Sequence, residues 1–254
     1  MTAEGFAETE LTRDALLGGR VMLRQPAKGF RAATDAVLLA ATAPAAPGWK
    51  TLDIGCGAGA ALLCLAARVP GLELHGLELQ PAYAALARRN AAEAGLAAEI
   101  AEGDVFAPPA ELRRTGFDLV LSNPPWFETA SPAAPDGGRD AARRAIRGAG
   151  DWAAACLARV RSGGRLVLIL PAAALPEALG GLGGAGDIAA LPLAARVGRP
   201  AKRVILAARK GAKAPFRLLA PFILHYGPAH DGDRDKFTPA AERVLRGGAA
   251  LPMS

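Results

Sequence analysis

The chain has 254 residues, of which 51% are hydrophobic and 21% charged, and a formal net charge of +6. These values are typical of one globular domain with its own core and exclude a disordered tail protein. Three cysteines without a C-x-x-C pair, and an N-terminus without a basic and apolar leader, lead us to expect a reduced, cytoplasmic protein. No apolar run reaches the roughly 18 residues of a membrane span, and three scattered histidines predict no metal centre.

The charge is divided unevenly along the chain. Residues 1–138 carry 11 basic and 16 acidic side chains, whereas residues 139–254 carry 19 basic and 8 acidic ones. A basic half is typical of a phosphate-binding surface, although the solvated faces of an Arg-rich chain would give the same counts. Residues 188–230 favour nucleic acid, because they contain no acidic residue and eight basic ones: Arg196, Arg199, Lys202, Arg203, Arg209, Lys210, Lys213 and Arg217.

The N-terminal segment predicts a strand followed by a short helix. Residues 20–25 alternate in polarity and end at Pro26, as a strand does. Thr34 is a suitable N-cap for an apolar helix that Pro44 stops.

Strands then alternate with helices, which predicts a doubly wound α/β sheet. The segment 117–122 is continuously apolar, as buried parallel strands are. Residues 126–150 form a long polar loop, which in a compact domain is usually functional or disordered. Nothing along the chain reads as a linker, so we expect one domain over residues 1–254. The predicted strands are 51–54, 72–79, 98–104, 117–122, 165–170 (after the pair Gly163-Gly164), 187–193 and 202–209 (a hairpin), and 216–226; the helices are 58–68, 81–95, 151–161 and 237–246.

The first candidate site is the glycine-rich turn of residues 53–59, D-I-G-C-G-A-G. Such a strand-to-helix turn lets a ligand approach the backbone and points N–H groups at it. Gly55, Gly57 and Ala60 also fit the dinucleotide pattern, so the glycines alone do not separate NAD(P) from other adenosine ligands. Asp53 inside the strand and the glycine at 59 favour a ligand with an ammonium group.

Two further acidic residues follow the next two strands. Glu78 lies 23 residues after Gly55, where a carboxylate can accept hydrogen bonds from both ribose hydroxyls. Asp104 ends the third strand and is placed to bind an adenine amine, although aspartates at such positions often only cap a loop.

The fourth site is the most specific: the sequence S-N-P-P-W at 122–126, directly after the fourth strand. Two prolines make this turn stiff. It can present the Asn123 side-chain carbonyl and the Pro124 backbone carbonyl to one point, and two such acceptors suit a planar NH₂ group. Trp126 offers a flat face on which a base or an amide can stack.

In this order, the four motifs resemble the class I S-adenosylmethionine-dependent methyltransferases that modify exocyclic or amide nitrogens. The resemblance covers about residues 20–210. The segments 16–26, 29–41, 200–206 and 237–246 resemble the bacterial tRNA(Val) adenine-N6 methyltransferase family and its close relatives, although these matches are less specific than the four motifs. Members of that family usually have Tyr or Phe after N-P-P, where this chain has Trp126.

The resemblance implies a Rossmann-like sheet of seven strands, parallel except for one near the C-terminal hairpin, with helices on both faces. Residues 1–45 would cover the cofactor, and residues 46–254 would form the catalytic core. The acceptor amine would lie against the N-P-P-W turn, Asn123, Pro124, Pro125 and Trp126. The residues implied to hold S-adenosylmethionine are Thr34, Asp35, Asp53, Gly55, Cys56, Gly57, Gly59, Glu78, Leu79, Asp104, Val105 and Asn123.

The implied partner is tRNA, with its target base flipped out of the stem-loop and stacked on Trp126. The sequence does not set the oligomeric state, and a monomer is one possibility. The basic residues that we expect to flank the mouth of the pocket and to bind the RNA are Arg139, Arg143, Arg144 and Arg147 in the loop, and Arg199, Lys202, Arg203 and Lys210 on the hairpin.

Three alternatives stay open on the sequence alone. The N-P-P turn suits other planar nitrogens, such as guanine in rRNA, a DNA base or a glutamine amide of a termination factor. A non-catalytic, cofactor-binding RNA-binding protein would have no use for this turn. An NAD(P) oxidoreductase would have none either, and the chain lacks an obvious hydride-site His or Tyr–Lys pair.

Overall fold

The computed structural model describes residues 5–29, 31–125, 148–227 and 237–253. The strands are β1 (Leu11–Leu16), β2 (Val21–Pro26), β3 (Lys50–Ile54), β4 (Glu73–Glu78), β5 (Ala98–Glu102), β6 (Phe117–Ser122), β7 (Val160–Pro171), β8 (Ala185–Ala194), β9 (Arg203–Lys210), β10 (Arg217–Leu218) and β11 (Phe222–Ile223). The helices are α1 (Thr34–Thr42), α2 (Ala60–Arg68), α3 (Pro81–Glu93), α4 (Ala110–Arg114), α5 (Ala149–Arg159), α6 (Leu175–Gly180) and α7 (Pro239–Leu245).

The central sheet has the strand order β10-β8-β9-β7-β6-β3-β4-β5, and β11 also pairs with β8. Strand β9 is antiparallel to both of its neighbours, β7 and β8, while the other pairs are parallel. The expectation of a mostly parallel sheet with one reversed strand in a C-terminal hairpin is therefore confirmed. Beside the seven long strands, the described part of the sheet gains the two-residue strands β10 and β11.

The core has two faces because side chains alternate along each buried strand. On β6 and β7, Leu121 and Val167 join the cluster that contains α1, α2 and α7. Val120 and Leu168 point the other way, into the cluster that contains α4, α5 and α6. Helix α1 is buried from Ala36 to Thr42, because it packs against both the sheet and neighbouring helices.

A separate antiparallel hairpin, β1–β2, is tied to the main body through Asn90 of α3. The Asn90 side chain is 1% exposed, and all its hydrogen bonds go to the backbone. Its Oδ1 accepts from Arg24 N at 3.0 Å, and its Nδ2 donates to Arg24 O and to Ala58 O, both at 2.9 Å. One amide thus joins the hairpin to the glycine-rich turn after β3.

The structure corrects several predicted elements. Thr34 is the first residue of α1 rather than its cap; Ala33 holds the cap position without a side-chain hydrogen bond. The pair at 163–164 lies within β7 instead of preceding it. The predicted strand 216–226 is only the two short pieces β10 and β11, and Pro221 lies between them. Strand β1 and helix α4 were not predicted, and most of the predicted loop 126–150 lies outside the described residues.

Asn90→Ala should destabilise the fold, because it leaves the backbone N–H and carbonyl of the partly buried Arg24, and the carbonyl of the buried Ala58, without this partner. Each such group costs about 1–3 kcal/mol, so we expect a loss of about 2–4 kcal/mol in the free energy of unfolding, measured by urea denaturation. Arg89→Ala on the same helix is the control, since its ion pairs with Glu8 and Glu93 are largely exposed and should be worth about 1 kcal/mol or less. Equal losses in the two variants would contradict the bridging role of Asn90.

Candidate active site

The candidate residues meet at the edge of the sheet where the parallel strands end. Along that edge the order is β5, β4, β3, β6, and the segments carrying Asp104, Glu78, the glycine-rich turn and Asn123 follow it in the same order. The register pairs Ile54 with both Leu77 and Ser122. Three strand spacings of about 4.8 Å separate the outer segments, so the row is about 14 Å long.

The glycine-rich turn uses backbone conformations that favour glycine. Gly55, Gly57 and Gly59 have φ values of +70°, +55° and +86°, in the left-handed region. The turn is fixed to β4 by the bond from Gly55 N to Leu77 O, at 2.7 Å. A Cβ atom on Gly59 would lie 3.5 Å from Cβ of Ala87, so the turn also packs closely against α3.

Two carboxylates lie buried beside this turn. Asp53 is 2% exposed and Glu78 is 7% exposed. Glu78 accepts hydrogen bonds from Gly57 N and Gln80 N, both at 2.9 Å, so it links the turn to the start of α3. Burial, and then the charge of Glu78, raises the pKa of Asp53 to about 8, while the backbone N–H of Leu62 acts in the opposite direction.

Neither carboxylate has an ion-pair partner in the described parts of the chain. Burying such groups without a cation is costly. The pair therefore suits a ligand that brings a positive charge and hydroxyl donors, which is the chemistry of the methionine ammonium and the ribose of S-adenosylmethionine. The residues present thus fit that cofactor.

The adenine end of the row is more open. Asp104 is exposed, and its Oδ1 accepts from Phe106 N at 2.9 Å in a tight turn. Val105 beside it is buried, and Leu79 after β4 is partly buried. An apolar surface with one carboxylate at its rim can hold a purine ring and accept a hydrogen bond from its amine.

The N-P-P turn follows β6 directly. Asn123 is partly buried, Pro124 is buried and Pro125 is exposed, and Trp126 lies outside the described residues. Ser122, at the base of the turn, is fully buried, and its hydroxyl donates to Ile54 O at 2.6 Å. This bond joins the residue before the N-P-P turn to β3, the strand that precedes the glycine-rich turn.

Trp152, in the first turn of α5, is a site residue that the sequence reasoning missed. Its Nε1 donates to Ser122 Oγ at 3.1 Å. A Cβ on Gly55 would lie 3.6 Å from its ring, and its ring meets that of Phe106 edge-on at 5.9 Å between centroids. Trp152 therefore contacts the segments after β3, β5 and β6. No local sequence pattern marks it, because these contacts form only in the folded sheet.

The three cysteines behave as packing residues. All are free and buried, and burial raises the pKa of the Cys64 thiol to about 12 and also raises those of Cys56 and Cys156. Cys56 follows Gly55 in the turn, and its sulfur lies 2.9 Å from where a Cβ on Gly76 would be. Within the described ranges, no group of three or more His, Cys, Asp or Glu side chains could hold a metal ion, and no helix is long and apolar enough to cross a membrane.

The predicted basic residues separate into two groups. Arg199, Lys202 and Arg203 lie in or next to the turn between β8 and β9, at the same edge as the N-P-P turn. Lys210 does not flank this edge: β9 runs antiparallel, so its last residue reaches the opposite one, where Nζ donates to the carbonyls of Leu157 and Val160. The other four candidates, Arg139, Arg143, Arg144 and Arg147, lie outside the described residues.

The predicted cofactor-covering residues start α1. Thr34 is exposed, and Oδ2 of Asp35 forms an ion pair of 3.3 Å with Nε of Arg203. The structure therefore places Asp35 against the β8–β9 turn. We call this end of the edge, where the N-P-P turn lies, the acceptor side.

Comparison with known proteins assigns the chain to a family. Residues 31–170 match the family described as the methyltransferase small domain. The chain belongs to this family. The match includes the glycine-rich turn, both buried carboxylates and the N-P-P turn.

Solved structures support the same assignment of fold. A crystal structure described as a predicted O-methyltransferase from Agrobacterium tumefaciens is similar to this chain with a TM-score of 0.69 and 28% identity, covering 86% of this chain and 98% of that one. The architecture is the Rossmann-like fold of class I methyltransferases.

Curated relatives match a shorter region. A tRNA1(Val) (adenine(37)-N6)-methyltransferase of Yersinia enterocolitica is 41% identical over 117 residues, which are 45% of this chain and 46% of that protein. A release factor glutamine methyltransferase of Geobacter sulfurreducens is 42% identical over 79 residues, 31% of this chain and 27% of that protein. The chain spans about half the length, or less, of the curated relatives that it matches.

The raised pKa of Asp53 makes the stability of the ligand-free protein depend on pH. Between about pH 4, where an unfolded aspartate titrates, and pH 8, folding takes up a proton, so the free energy of unfolding falls as the pH rises. Asp53→Asn removes this titration with almost no change in the shape of the side chain. We expect its melting temperature to exceed that of the wild type by a margin that grows from pH 5 to pH 8, reaching several degrees.

Calorimetry without ligand measures this margin. Glu111→Gln, which removes an exposed carboxylate on α4, should show a small margin that does not change with pH. A margin for Asp53→Asn that is the same at pH 5 and pH 8 would show that Asp53 is ionised throughout.

Proposed function

We propose that this chain transfers a methyl group from S-adenosylmethionine to the exocyclic N6 amine of an adenine in tRNA. One observation carries the proposal: the N-P-P turn and the glycine-rich turn follow the adjacent strands β6 and β3, with Ser122 paired to Ile54. The methyl donor and the acceptor amine would therefore meet between neighbouring strand ends. The similarity to tRNA adenine-N6 methyltransferases supports the choice of acceptor.

Each part of the edge has a role in holding the cofactor. The left-handed glycines would leave room for the methionine part, with Asp53 near its ammonium. Glu78 would turn from the backbone N–H groups to the ribose hydroxyls, and Asp104, with Leu79 and Val105, would hold the adenine. The hairpin, within residues 1–45, would close over the cofactor, as the bonds from Asn90 to Arg24 and to Ala58 O favour.

The acceptor amine is activated by position. S-adenosylmethionine supplies an electrophilic methyl group. The carbonyls of Asn123 and Pro124 accept the two N6 hydrogens, so the nitrogen lone pair can leave conjugation with the ring and point at the methyl carbon. The N6 nitrogen would take the methyl group from the sulfur of the cofactor and release one proton to solvent, so this chain would need no strong general base.

The partner in this proposal is tRNA. The β8–β9 turn lies next to the acceptor side and carries Arg199, Lys202 and Arg203, which suit phosphate groups. Trp126, following the turn, would stack on the flipped base.

A glutamine amide of a release factor is the second candidate. It presents the same planar NH₂ to Asn123 and Pro124, and the similarity to a release factor glutamine methyltransferase favours it. The basic β8–β9 turn favours RNA over a protein acceptor, and transfer to each substrate class separates the two.

Asn123→Ala should lower methyl transfer to tRNA by about 10²–10³-fold, the scale seen when one precisely aimed hydrogen-bonding group is removed from a reacting centre. The assay uses labelled S-adenosylmethionine and deproteinised tRNA from a strain lacking this gene, with nucleoside analysis for N6-methyladenosine. Asn123→Asp keeps an acceptor oxygen in place and should retain more activity than the alanine variant.

One control and one further substrate make this assay decisive. Calorimetric titration with S-adenosylhomocysteine establishes that each protein binds the cofactor. The same assay is run with a release factor as substrate, and label in the release factor with none in any RNA would replace the leading function by the second candidate.

Trp152 should act as a positioning residue for the acceptor turn. Trp152→Phe keeps an aromatic ring but removes the bond to Ser122 Oγ, whereas Ser122→Ala removes this bond and also the bond from Ser122 Oγ to Ile54 O. We expect Trp152→Phe to lower kcat by about fivefold, the equivalent of one hydrogen bond of ~1 kcal/mol, and Ser122→Ala to lower it further, with KM for tRNA little changed. The double variant should resemble Ser122→Ala, because that substitution already removes the bond to Trp152. Multiplying losses in kcat would mean that the two side chains act independently.

A further inference from the structure

A groove of about 600 Å³ lies at the acceptor side of the sheet edge, between the start of α1 and the β8–β9 turn. Its apolar floor includes Leu38, Leu193 and Leu224; Leu38 and Leu193 are almost fully buried, and Leu224 is partly exposed. Lys202 and Arg203 stand at its rim and are exposed. The groove therefore combines a surface for a flat apolar group with cations for an anion.

The groove lies along the same sheet edge as the candidate site, beyond the N-P-P turn and on the side away from the glycine-rich turn. Strand β7 pairs Leu168 with Ser122 on one side and Pro171 with Arg203 on the other. Arg203 is thus two strands beyond β6 and three residues further along, about 14 Å from the base of the N-P-P turn. An elongated substrate whose reacting group lies at Asn123 would reach the groove without crossing the cofactor row.

Charge separates the possible occupants. Asp35 holds Nε of Arg203 at 3.3 Å, which fixes the direction of the guanidinium and leaves its other nitrogens to point elsewhere. Arg196 and Arg199 of the same turn also line the groove, and Asp35 is the single acidic residue among its described lining. The side chains that line the groove therefore carry a net positive charge, so we expect an occupant with negative charge.

We propose that this groove is a subsite for a nucleotide that flanks the acceptor base. Its base lies on the part of the floor that Leu224 exposes, and its phosphate binds Lys202 and Arg203. A nucleotide fits better than an acidic peptide, because the floor is apolar directly beneath the cationic rim and a peptide carboxylate brings no flat ring to cover it. The subsite rests on the proposed function, since it belongs to the same RNA substrate.

The test compares the double variant Lys202→Gln/Arg203→Gln with Arg209→Gln/Lys213→Gln, which removes two charges from the other end of the same basic region. Binding of fluorescein-labelled deproteinised tRNA is followed by anisotropy at several salt concentrations. We expect the groove variant to bind at least tenfold more weakly and to lower the slope of log K against log salt by about 2. The control should keep the affinity within about twofold and the slope unchanged.

Leu224→Ala tests the floor. It removes apolar area without changing charge, so tRNA affinity should fall about two- to fivefold with an unchanged salt slope. Melting temperature and S-adenosylhomocysteine binding within the wild-type range establish that each variant is folded and binds the cofactor. The subsite is overturned if the groove variant matches the control, if Leu224→Ala binds tRNA like the wild type, or if poly-glutamate displaces tRNA from wild type but not from the groove variant, since an acidic peptide would then be the occupant.

The same measurements distinguish failure of the subsite from failure of the proposed function. Wild-type protein that methylates tRNA while the groove variant binds it normally overturns the subsite alone. Wild-type protein that binds S-adenosylhomocysteine but labels no RNA overturns the function, and with it the assignment of the groove to an RNA substrate.

Discussion

The strand order β5-β4-β3-β6 is the constraint on which the site depends. Parallel strands end at one edge, and crossover connections place residues from distant parts of the chain side by side there. Asp104, Glu78, Gly55 and Asn123 are spread over some 70 residues of sequence, yet they lie in a row about three strand spacings long. The hydrogen bonds that join Ser122 to Ile54 and to Trp152 fix the N-P-P turn relative to the end of β3.

Two buried carboxylates at the same edge lower the stability of the ligand-free protein. Asp53 is buried among apolar neighbours and close to a second carboxylate, so it is held neutral near physiological pH. Glu78 is satisfied only by backbone N–H groups of the described chain. A cationic, hydroxyl-bearing ligand relieves both conditions at once. Functional sites are often less stable than their surroundings for this reason, and in the proposed function the stabilising charge would come from the ligand rather than from a protein side chain.

Much of the fold follows from local sequence patterns. The continuously apolar segment at 117–122 and the alternating helices and strands around it predict the parallel sheet, and Pro81 and Gly95 bracket α3 closely. The glycine-rich turn, Glu78, Asp104 and N-P-P are predictable because each combines a special backbone need with a strand end. Strand β1 is not, since Thr12, Arg13 and Asp14 look like a polar loop; Asp14 is held there by Gln25 and Arg31, which are distant in sequence. Lys210 was misplaced because the direction of β9 decides which end of the strand reaches the site, and periodicity does not reveal direction.

The position of the β8–β9 turn has a consequence for how such enzymes diversify. Its two ends are fixed by antiparallel pairing from Leu193 with Arg203 down to Ala185 with Lys210. Residues can therefore be inserted into or deleted from 195–202 without shifting the register of the sheet or disturbing the glycine-rich turn. In the proposed function, variation in that one connection would change the substrate surface and leave the methyl-transfer site intact. The architecture thus separates the part that can diverge from the part that must be preserved.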